Sequence, residues 1–319
     1  MVEVPLIYWP RIPLARKLII EKLSAEPGVR LTVAESLDEA IAKLPGAAGL
    51  ILADTAPDQA RRVLDAIEAT RDSFRWMQFV TAGCEGFEAA GMPEGVEVTG
   101  PGLGVSPVVA EHAIALLLAL LRQIPAAAAA TAAANWDRSL LAKMQSLEGR
   151  RMAIYGTGRI GREIARRARP FGVEVVGVSR SGSAVEDFDQ VIAAADAAVA
   201  LGSFDVVIAA LPLTKDTALM FNAAYFAALK PGAIFVNVAR GGVVDQPALI
   251  SALESGHLAA AALDVAEPEP LPPDHPLWKA PNLLVTAHLS GAGSPASQAR
   301  ITNEILGNFR RLLAAGRFA

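Results

Sequence analysis

The segment Gly156-Thr157-Gly158-Arg159-Ile160-Gly161 constrains this chain more than any other. It follows Arg151-Met152-Ala153-Ile154-Tyr155, an apolar run that predicts a buried strand, and it opens Arg159–Arg169, which has helical spacing. Strand, G-x-G-x-x-G, helix is the order of a dinucleotide-binding turn. The first glycine permits the turn, the second lets backbone approach a pyrophosphate, and the third lets helix and strand pack closely. Amides at the helix start then face the anion with a favourable dipole. Glycine is common, so the motif alone is weak. Its flanks favour a dinucleotide site over a plain tight turn, with Gly156, Gly158, Arg159, Ile160 and Gly161 as contacts. The loop also sits in mid-chain, so another unit folds before it.

Composition narrows the class. A chain of 319 residues predicts two domains of ~100–200 residues each. Hydrophobic residues make up 52 %, enough for sizeable cores and inconsistent with disorder. The formal net charge of -4 leaves no electrostatic footprint for nucleic acid. One cysteine, Cys84, excludes an internal disulfide framework and fits a reducing compartment. No signal peptide is expected from the start Met-Val-Glu-Val-Pro. The apolar run Ala113–Leu121 is too short to span a bilayer and reads as a buried helix. No membrane partner is expected, the expected location is cytoplasmic, and no metal site is expected.

The first hundred residues alternate strand and helix patterns. Strands are expected at Pro5–Tyr8, Arg30–Ala34, Gly49–Ala53 and Trp76–Val80, with helices at Leu14–Leu23, Ser36–Lys43 and Asp58–Ala69. Such alternation with short connections predicts a parallel sheet covered by helices. Gly100-Pro101-Gly102-Leu103-Gly104 is punctuation, after which Ser106 is expected to cap a long helix to about Arg122. The alanine tract Ala126–Ala134 predicts a helical surface or subunit contact. A second alternation starts at Arg151 and predicts a doubly wound sheet of roughly six strands. These are Met152–Tyr155, Glu174–Val178, Asp205–Ala209, Ala233–Val238, Ala260–Asp264 and Leu283–Thr286. After His288 too little chain remains for a domain. A helix at Ser297–Leu313 is therefore expected to pack back on the first domain. The expected fold is α/β, two Rossmann-like doubly wound domains. A flavodoxin-like substrate domain (1–101 and 290–319) is interrupted by a dinucleotide-binding domain (102–289).

Polar residues cluster at strand ends, where doubly wound sheets place their ligands. Val236-Asn237-Val238-Ala239-Arg240 ends one strand with an arginine. Asp264-Val265-Ala266-Glu267-Pro268-Glu269-Pro270 ends the next with three carboxylates. Val285-Thr286-Ala287-His288 ends the last with a histidine. An arginine, a carboxylate and a histidine beside a dinucleotide point to substrate binding and proton transfer. Taken singly, a histidine is more often structural, and His112, His257 and His275 are read so. Glu111 is read as structural at a helix start.

At these residues the chain resembles the D-isomer-specific 2-hydroxyacid dehydrogenases, closest in motifs to glyoxylate/hydroxypyruvate reductases. The similar segments are Thr81-Ala82-Gly83, Ala110-Glu111-His112, the Gly156–Gly161 loop, Leu211-Pro212-Leu213-Thr214, Asn237–Asp245, Asp264–Pro270, His275-Pro276-Leu277 and the His288 segment. The resemblance implies that Arg240 holds a 2-keto acid, a task suited to its fork geometry. It implies that His288 protonates the carbonyl oxygen during hydride transfer. The family places its catalytic acid five residues beyond the aspartate, which selects Glu269 over Glu267 as partner of His288. Amides around Ala82, Gly83 and Cys84 are implied to bind substrate carboxylate, together with Arg240 and His288. Cys84 is read as a small residue of that loop, since hydride transfer needs no nucleophile. Asp264 is implied to contact the nicotinamide side. Leu211, Pro212, Thr217, Ala239, Arg240, His288 and Gly291 complete the implied cofactor contacts. A homodimer is expected from the resemblance and from the apolar Ala113–Leu121 and alanine-rich segments. Glu269 argues against formate dehydrogenases, which carry glutamine beside the histidine. The long phosphoglycerate dehydrogenases carry a further regulatory domain, so a chain ending at Ala319 is expected to differ from them.

The cofactor type is read from the next strand end. An NAD enzyme usually places an acid there, about twenty residues past the glycine loop, to accept from the ribose 2′-hydroxyl. Here stand Ser179-Arg180-Ser181. Arginine attracts a 2′-phosphate where a carboxylate would repel it. NADP(H) is therefore expected over NAD(H). The expected activity is NADPH-dependent reduction of a small 2-keto acid to a D-2-hydroxy acid. The alternatives are an NAD-linked dehydrogenase of a bulkier D-2-hydroxy acid and a nucleotide-sensing scaffold, such as a transcriptional co-repressor. A scaffold would not need Arg240, Glu269 and His288 together.

Overall fold

The computed structural model describes residues 3–291 and 293–318. The chain divides into two compact units, Met1–Val105 with Ala292–Ala319, and Ser106–Gly291. Each unit is built on one parallel α/β sheet.

The first unit runs β1 (Val4–Trp9), α1 (Arg16–Ser24), β2 (Val29–Val33), α2 (Leu37–Lys43), β3 (Gly49–Leu52), α3 (Pro57–Glu68), β4 (Trp76–Phe79), α4 (Glu85–Ala90) and β5 (Glu97–Thr99). Its strand order is β2-β1-β3-β4-β5, all parallel. That is the flavodoxin-like order, with a reversal between β1 and β3. The central strands β3 and β4 are buried at every residue, as parallel strands covered on both faces must be. Ser36 caps α2 as read, its hydroxyl accepting from Glu39 N at 3.1 Å.

The second unit runs α5 (Ser106–Leu121), α6 (Ile124–Ala132), β6 (Arg151–Tyr155), α7 (Arg159–Ala168), β7 (Glu174–Ser179), β8 (Gln190–Ala193), β9 (Val206–Ala209), α8 (Ala223–Ala228), β10 (Ala233–Asn237), α9 (Gln246–Glu254), β11 (Leu258–Leu263) and β12 (Leu283–Val285). The sheet order is β12-β11-β10-β9-β6-β7-β8. It reverses between β6 and β9, and such a switch point is where these sheets open a crevice for ligands. α5 packs against α7, β10 and β11, burying Leu116, Leu117 and Leu121. α6 has no buried residue. The last helix, α10 (Pro295–Ala314), returns to the first unit. There Ile301, Ile305 and Phe309 are buried, and Arg310 forks onto Glu26 with two bonds of 2.7 Å.

The structure corrects several sequence expectations. The second sheet has seven strands, because Gln190–Ala193 adds an edge strand. An edge strand needs few apolar residues, and none of β8 is fully buried. β5 and the six-residue α4 were likewise too short to leave a periodic signal. Ser106 was expected to precede its helix as a cap. Instead it is the first residue of α5 and is buried at 3 % exposure. Pro107 is then the second residue of the helix, within the first turn, where a missing N–H costs no intrahelical bond. Among the described residues no single helix is long and apolar enough to cross a membrane.

The joint between β6 and α7 is tight for a visible reason. Gly156 has φ 102°, and a Cβ there would lie 2.3 Å from the carbonyl oxygen of Ala210 at the end of β9. A Cβ on Gly161 would lie 1.9 Å from the carbonyl oxygen of Gly156. A Cβ on Gly158 would meet nothing within 4 Å. Gly161→Ala should therefore force the helix off the loop and cost about 1–3 kcal/mol, the usual cost of overpacking. Gly158→Ala should melt close to wild type while weakening dinucleotide binding, because it fills the open side of the turn. Thermal melting and dinucleotide titration of the two variants check this. Equal melting temperatures would contradict the packing argument.

Candidate active site

The Gly156–Gly161 turn ends β6 at the switch point and starts α7. Gly158 is the N-cap of α7 and no side chain caps the helix, so its first-turn amides are left for a ligand. Open space over Gly158 and uncapped amides fit a pyrophosphate. Arg159 and Ile160 lie in this first turn, Arg159 exposed and Ile160 partly buried. On the adjacent strand, β7 ends at Ser179, whose hydroxyl accepts from Gly182 N at 3.1 Å. Ser181 is exposed, and its hydroxyl accepts from Ser183 N at 3.2 Å. Arg180 is exposed, and among the described residues neither it nor Arg159 forms an ion pair.

Three neighbouring strand ends carry the polar groups. After β10, Ala239 N donates to Asn237 Oδ1 at 2.9 Å, and Asn237 Nδ2 donates to the carbonyl of Arg240 at 2.9 Å. This buried asparagine folds the turn that presents Arg240. The guanidinium of Arg240 is partly exposed, and Nη1 donates to Ala239 O at 2.7 Å. After β11, Glu269 Oε1 accepts from Ala266 N at 3.1 Å. After β12, His288 Nδ1 lies 2.8 Å from Glu269 Oε2, leaving Nε2 for other work. The two side chains are 48 % and 39 % exposed, enough to meet a ligand. Glu267 is exposed and plays no part in the pair.

The electrostatics of the pair are opposed but not balanced. The hydrogen bond from Glu269 raises the pKa of His288, against burial and the nearby Arg240 guanidinium, which lower it. Burial pushes Glu269 upward, yet the His288 bond, the Ala266 amide and the charge of Arg240 hold it below the usual carboxylate range. The result favours imidazolium beside carboxylate. Arg240, Glu269 and His288 are thus brought together, as an acid and an anion-binding group require.

The side chain of Asp264 is fully enclosed. Oδ1 accepts from Thr286 Oγ1 at 2.6 Å and from Leu289 N at 2.8 Å, and Oδ2 accepts from Ser290 N at 3.1 Å. Burial raises its pKa, but these donors outweigh burial and hold the group ionised. Its backbone carbonyl accepts from His288 N at 2.7 Å. Asp264 is therefore the anchor of the His288 loop. Sequence reasoning missed Thr286 and the two amides, because a threonine at a strand end carries no distinguishing signal. Gly291 follows this loop, and a Cβ there would meet nothing within 4 Å.

The remaining expected residues fall in loops. Leu211 and Pro212 follow β9, and Thr217 Oγ1 donates to Pro212 O at 2.7 Å and accepts from Thr214 N at 2.8 Å. Thr217 thus staples its own loop. In the first unit, Thr81 Oγ1 donates to Gly83 O at 3.0 Å and accepts from Asp54 N at 3.1 Å. Among the described residues the amides of Ala82, Gly83 and Cys84 donate to no protein group. Burial, followed by the charge of Glu88, pushes the Cys84 thiol up to about 12, which suits a passive loop residue. His112 faces Thr286, His257 Nε2 lies 3.1 Å from Leu229 O, and His275 Nδ1 accepts from Leu277 N.

Comparison with known proteins identifies the family. The chain is 38 % identical over 206 residues to D-3-phosphoglycerate dehydrogenase of Archaeoglobus fulgidus, covering 62 % of this chain and 37 % of that protein. The chain thus spans well under half the length of that relative. A solved D-isomer specific 2-hydroxyacid dehydrogenase family protein from Aeromonas salmonicida is 31 % identical, with a TM-score of 0.83 over 99 % of this chain and 97 % of that one. The NADPH-dependent glyoxylate/hydroxypyruvate reductase of Sinorhizobium meliloti, solved with NADP and sulfate, is 26 % identical, with a TM-score of 0.81 over 98 % and 96 %. Residues 114–290 match the family model described as D-isomer specific 2-hydroxyacid dehydrogenase, NAD binding domain, and the chain belongs to this family.

Proposed function

We propose that the protein reduces a small 2-keto acid of the glyoxylate or hydroxypyruvate type with NADPH, giving a D-2-hydroxy acid. The observation that carries this reading is the 2.8 Å contact of His288 with Glu269 beside Arg240, in the same unit as the open glycine turn. Gly158 and the first-turn amides at Arg159 and Ile160 would hold the pyrophosphate, with Leu211, Pro212, Ala239 and Gly291 in flanking loops. When bound, the nicotinamide supplies the hydride. Arg240 holds the substrate through its carboxylate or carbonyl oxygen. His288 gives a proton from Nε2 to the carbonyl oxygen, and Glu269 keeps that proton available by favouring imidazolium. In the reverse direction neutral His288 accepts the proton. On the first unit, the free amides of Ala82, Gly83 and Cys84 suit a carboxylate.

The cofactor preference rests on Ser179, Arg180 and Ser181. A 2′-phosphate would meet Arg180 there, which forms no ion pair among the described residues. The single cysteine fits the cytoplasm, where thiols stay reduced. A homodimer belongs to the same reading, because the exposed α6 is followed by Trp136 at 90 % and Leu141 at 59 % exposure. Such a run suits burial against a second copy. The first expected outcome is a mass in solution of twice the chain, reduced by Trp136→Ala, as read by light scattering.

The second reading is an NAD-linked dehydrogenase of a bulkier D-2-hydroxy acid. It is favoured by the relatives named D-3-phosphoglycerate dehydrogenase. Assays of glyoxylate and hydroxypyruvate with NADPH, beside D-3-phosphoglycerate with NAD, separate the two. The proposed function predicts turnover of a small keto acid, lost in His288→Ala. Full activity in that variant would remove the proton-transfer assignment. Arg180→Ala should lower kcat/KM for NADPH by about ten- to a hundredfold while sparing NADH, the worth of one charge-assisted contact. An unchanged ratio would sink the 2′-phosphate assignment.

The pH profile tests the pair. Reduction needs protonated His288, so the rate should fall as pH rises through its raised pKa. Glu269→Gln removes the group that raises it, so the alkaline limb should move to lower pH. A limb that stays in place would show that Glu269 does not control the imidazole.

A further inference from the structure

His288 sits at φ 54°, in the left-handed region, where a residue bearing a side chain is held only by its surroundings. The surroundings converge on Asp264. That carboxylate takes the amides of Leu289 and Ser290, and the Asp264 carbonyl takes the amide of His288. Three consecutive amides are thus fixed by one residue. Thr286 Oγ1 spends its only proton on Asp264 Oδ1 at 2.6 Å. His112 Nε2 lies 3.0 Å from that same Thr286 oxygen and 3.3 Å from Asp264 Oδ1. Both oxygens face it as acceptors. Nε2 of His112 must therefore carry a hydrogen, whichever way the other ring nitrogen is protonated.

His112 stands on α5, the first element of its unit, whereas Thr286 and His288 belong to the last loop of that unit. No other side chain on α5 bonds to this loop among the described residues. We propose that His112 is a positioning residue for the His288 loop. Its Nε2–H clasps Thr286 and Asp264 to the buried helix α5 and so keeps the His288 imidazole aimed at Glu269. This role rests on the proposed function for its kinetic consequence, but not for its structural one. The clasp requires a donor at position 112, not an imidazole as such.

That requirement gives the test. His112→Leu keeps the bulk and removes the donor, and His112→Gln keeps a donor. Thr286→Val and Thr286→Ser form the matching pair on the other side, in case His112→Leu does not fold. Keto-acid reduction should lose about ten- to a hundredfold in kcat with His112→Leu and Thr286→Val, with the Kd for NADPH changed by less than about twofold. His112→Gln and Thr286→Ser should recover most of the loss. In the full-length protein labelled with 15N-histidine, the His288 Nδ1–H signal should move toward that of an unpaired imidazole in the donorless variants and stay in place in the conservative ones. The proposal is overturned if His112→Leu and Thr286→Val keep both kcat and the His288 signal, or if His112→Gln falls as far as His112→Leu. If the wild-type protein reduces no keto acid, the proposed function fails while the NMR comparison still decides the clasp.

Discussion

A carboxylate with no exposed surface must find donors for its charge, and Asp264 finds them in the loop that carries His288. Leaving such a group unpaired would cost several kcal/mol. Satisfying it requires that Thr286, Leu289 and Ser290 all turn toward one point. A loop so gathered has little freedom left, and His288 is carried into a left-handed conformation by its neighbours. From there Nδ1 meets Glu269. The contact between His288 and Glu269 is thus the consequence of a buried charge at the end of the preceding strand. It does not depend on strength of its own.

The electrostatics of the pair are unequal. Arg240 lies close enough to lower the pKa of His288 and of Glu269 alike. Its charge favours the carboxylate and opposes the imidazolium. The hydrogen bond between the partners outweighs that opposition at His288. A guanidinium and an imidazolium can therefore share one site, although each alone would disfavour the other.

Most of the architecture was legible in the residues. Val206-Val207-Ile208-Ala209 and Ala233-Ile234-Phe235-Val236-Asn237 are nearly unbroken apolar runs, and they became fully buried strands. Glycine was decisive at Gly156 and Gly161, where a side chain would strike backbone. The elements that escaped were β5, β8 and α4, which are short or lie at an edge and bury little. In the site, Arg240 and His288 announced themselves by residue type at strand ends. The choice of Glu269 over Glu267 came from family spacing and not from any property of the two residues. The structure then set Glu269 on His288 and Glu267 in solvent.

By itself the sequence determined the alternation of strand and helix, the mid-chain dinucleotide turn and the residue types available for chemistry. These follow from local patterns, which a chain carries whatever its surroundings. Tertiary structure alone decided which way each polar side chain faces. Asp264 points inward, Thr217 staples its own loop, and His112 reaches a threonine 174 residues away. Hydrogen-bond partners so distant in the chain are chosen by the packing of α5 and the strand ends into one unit. No local pattern encodes that choice.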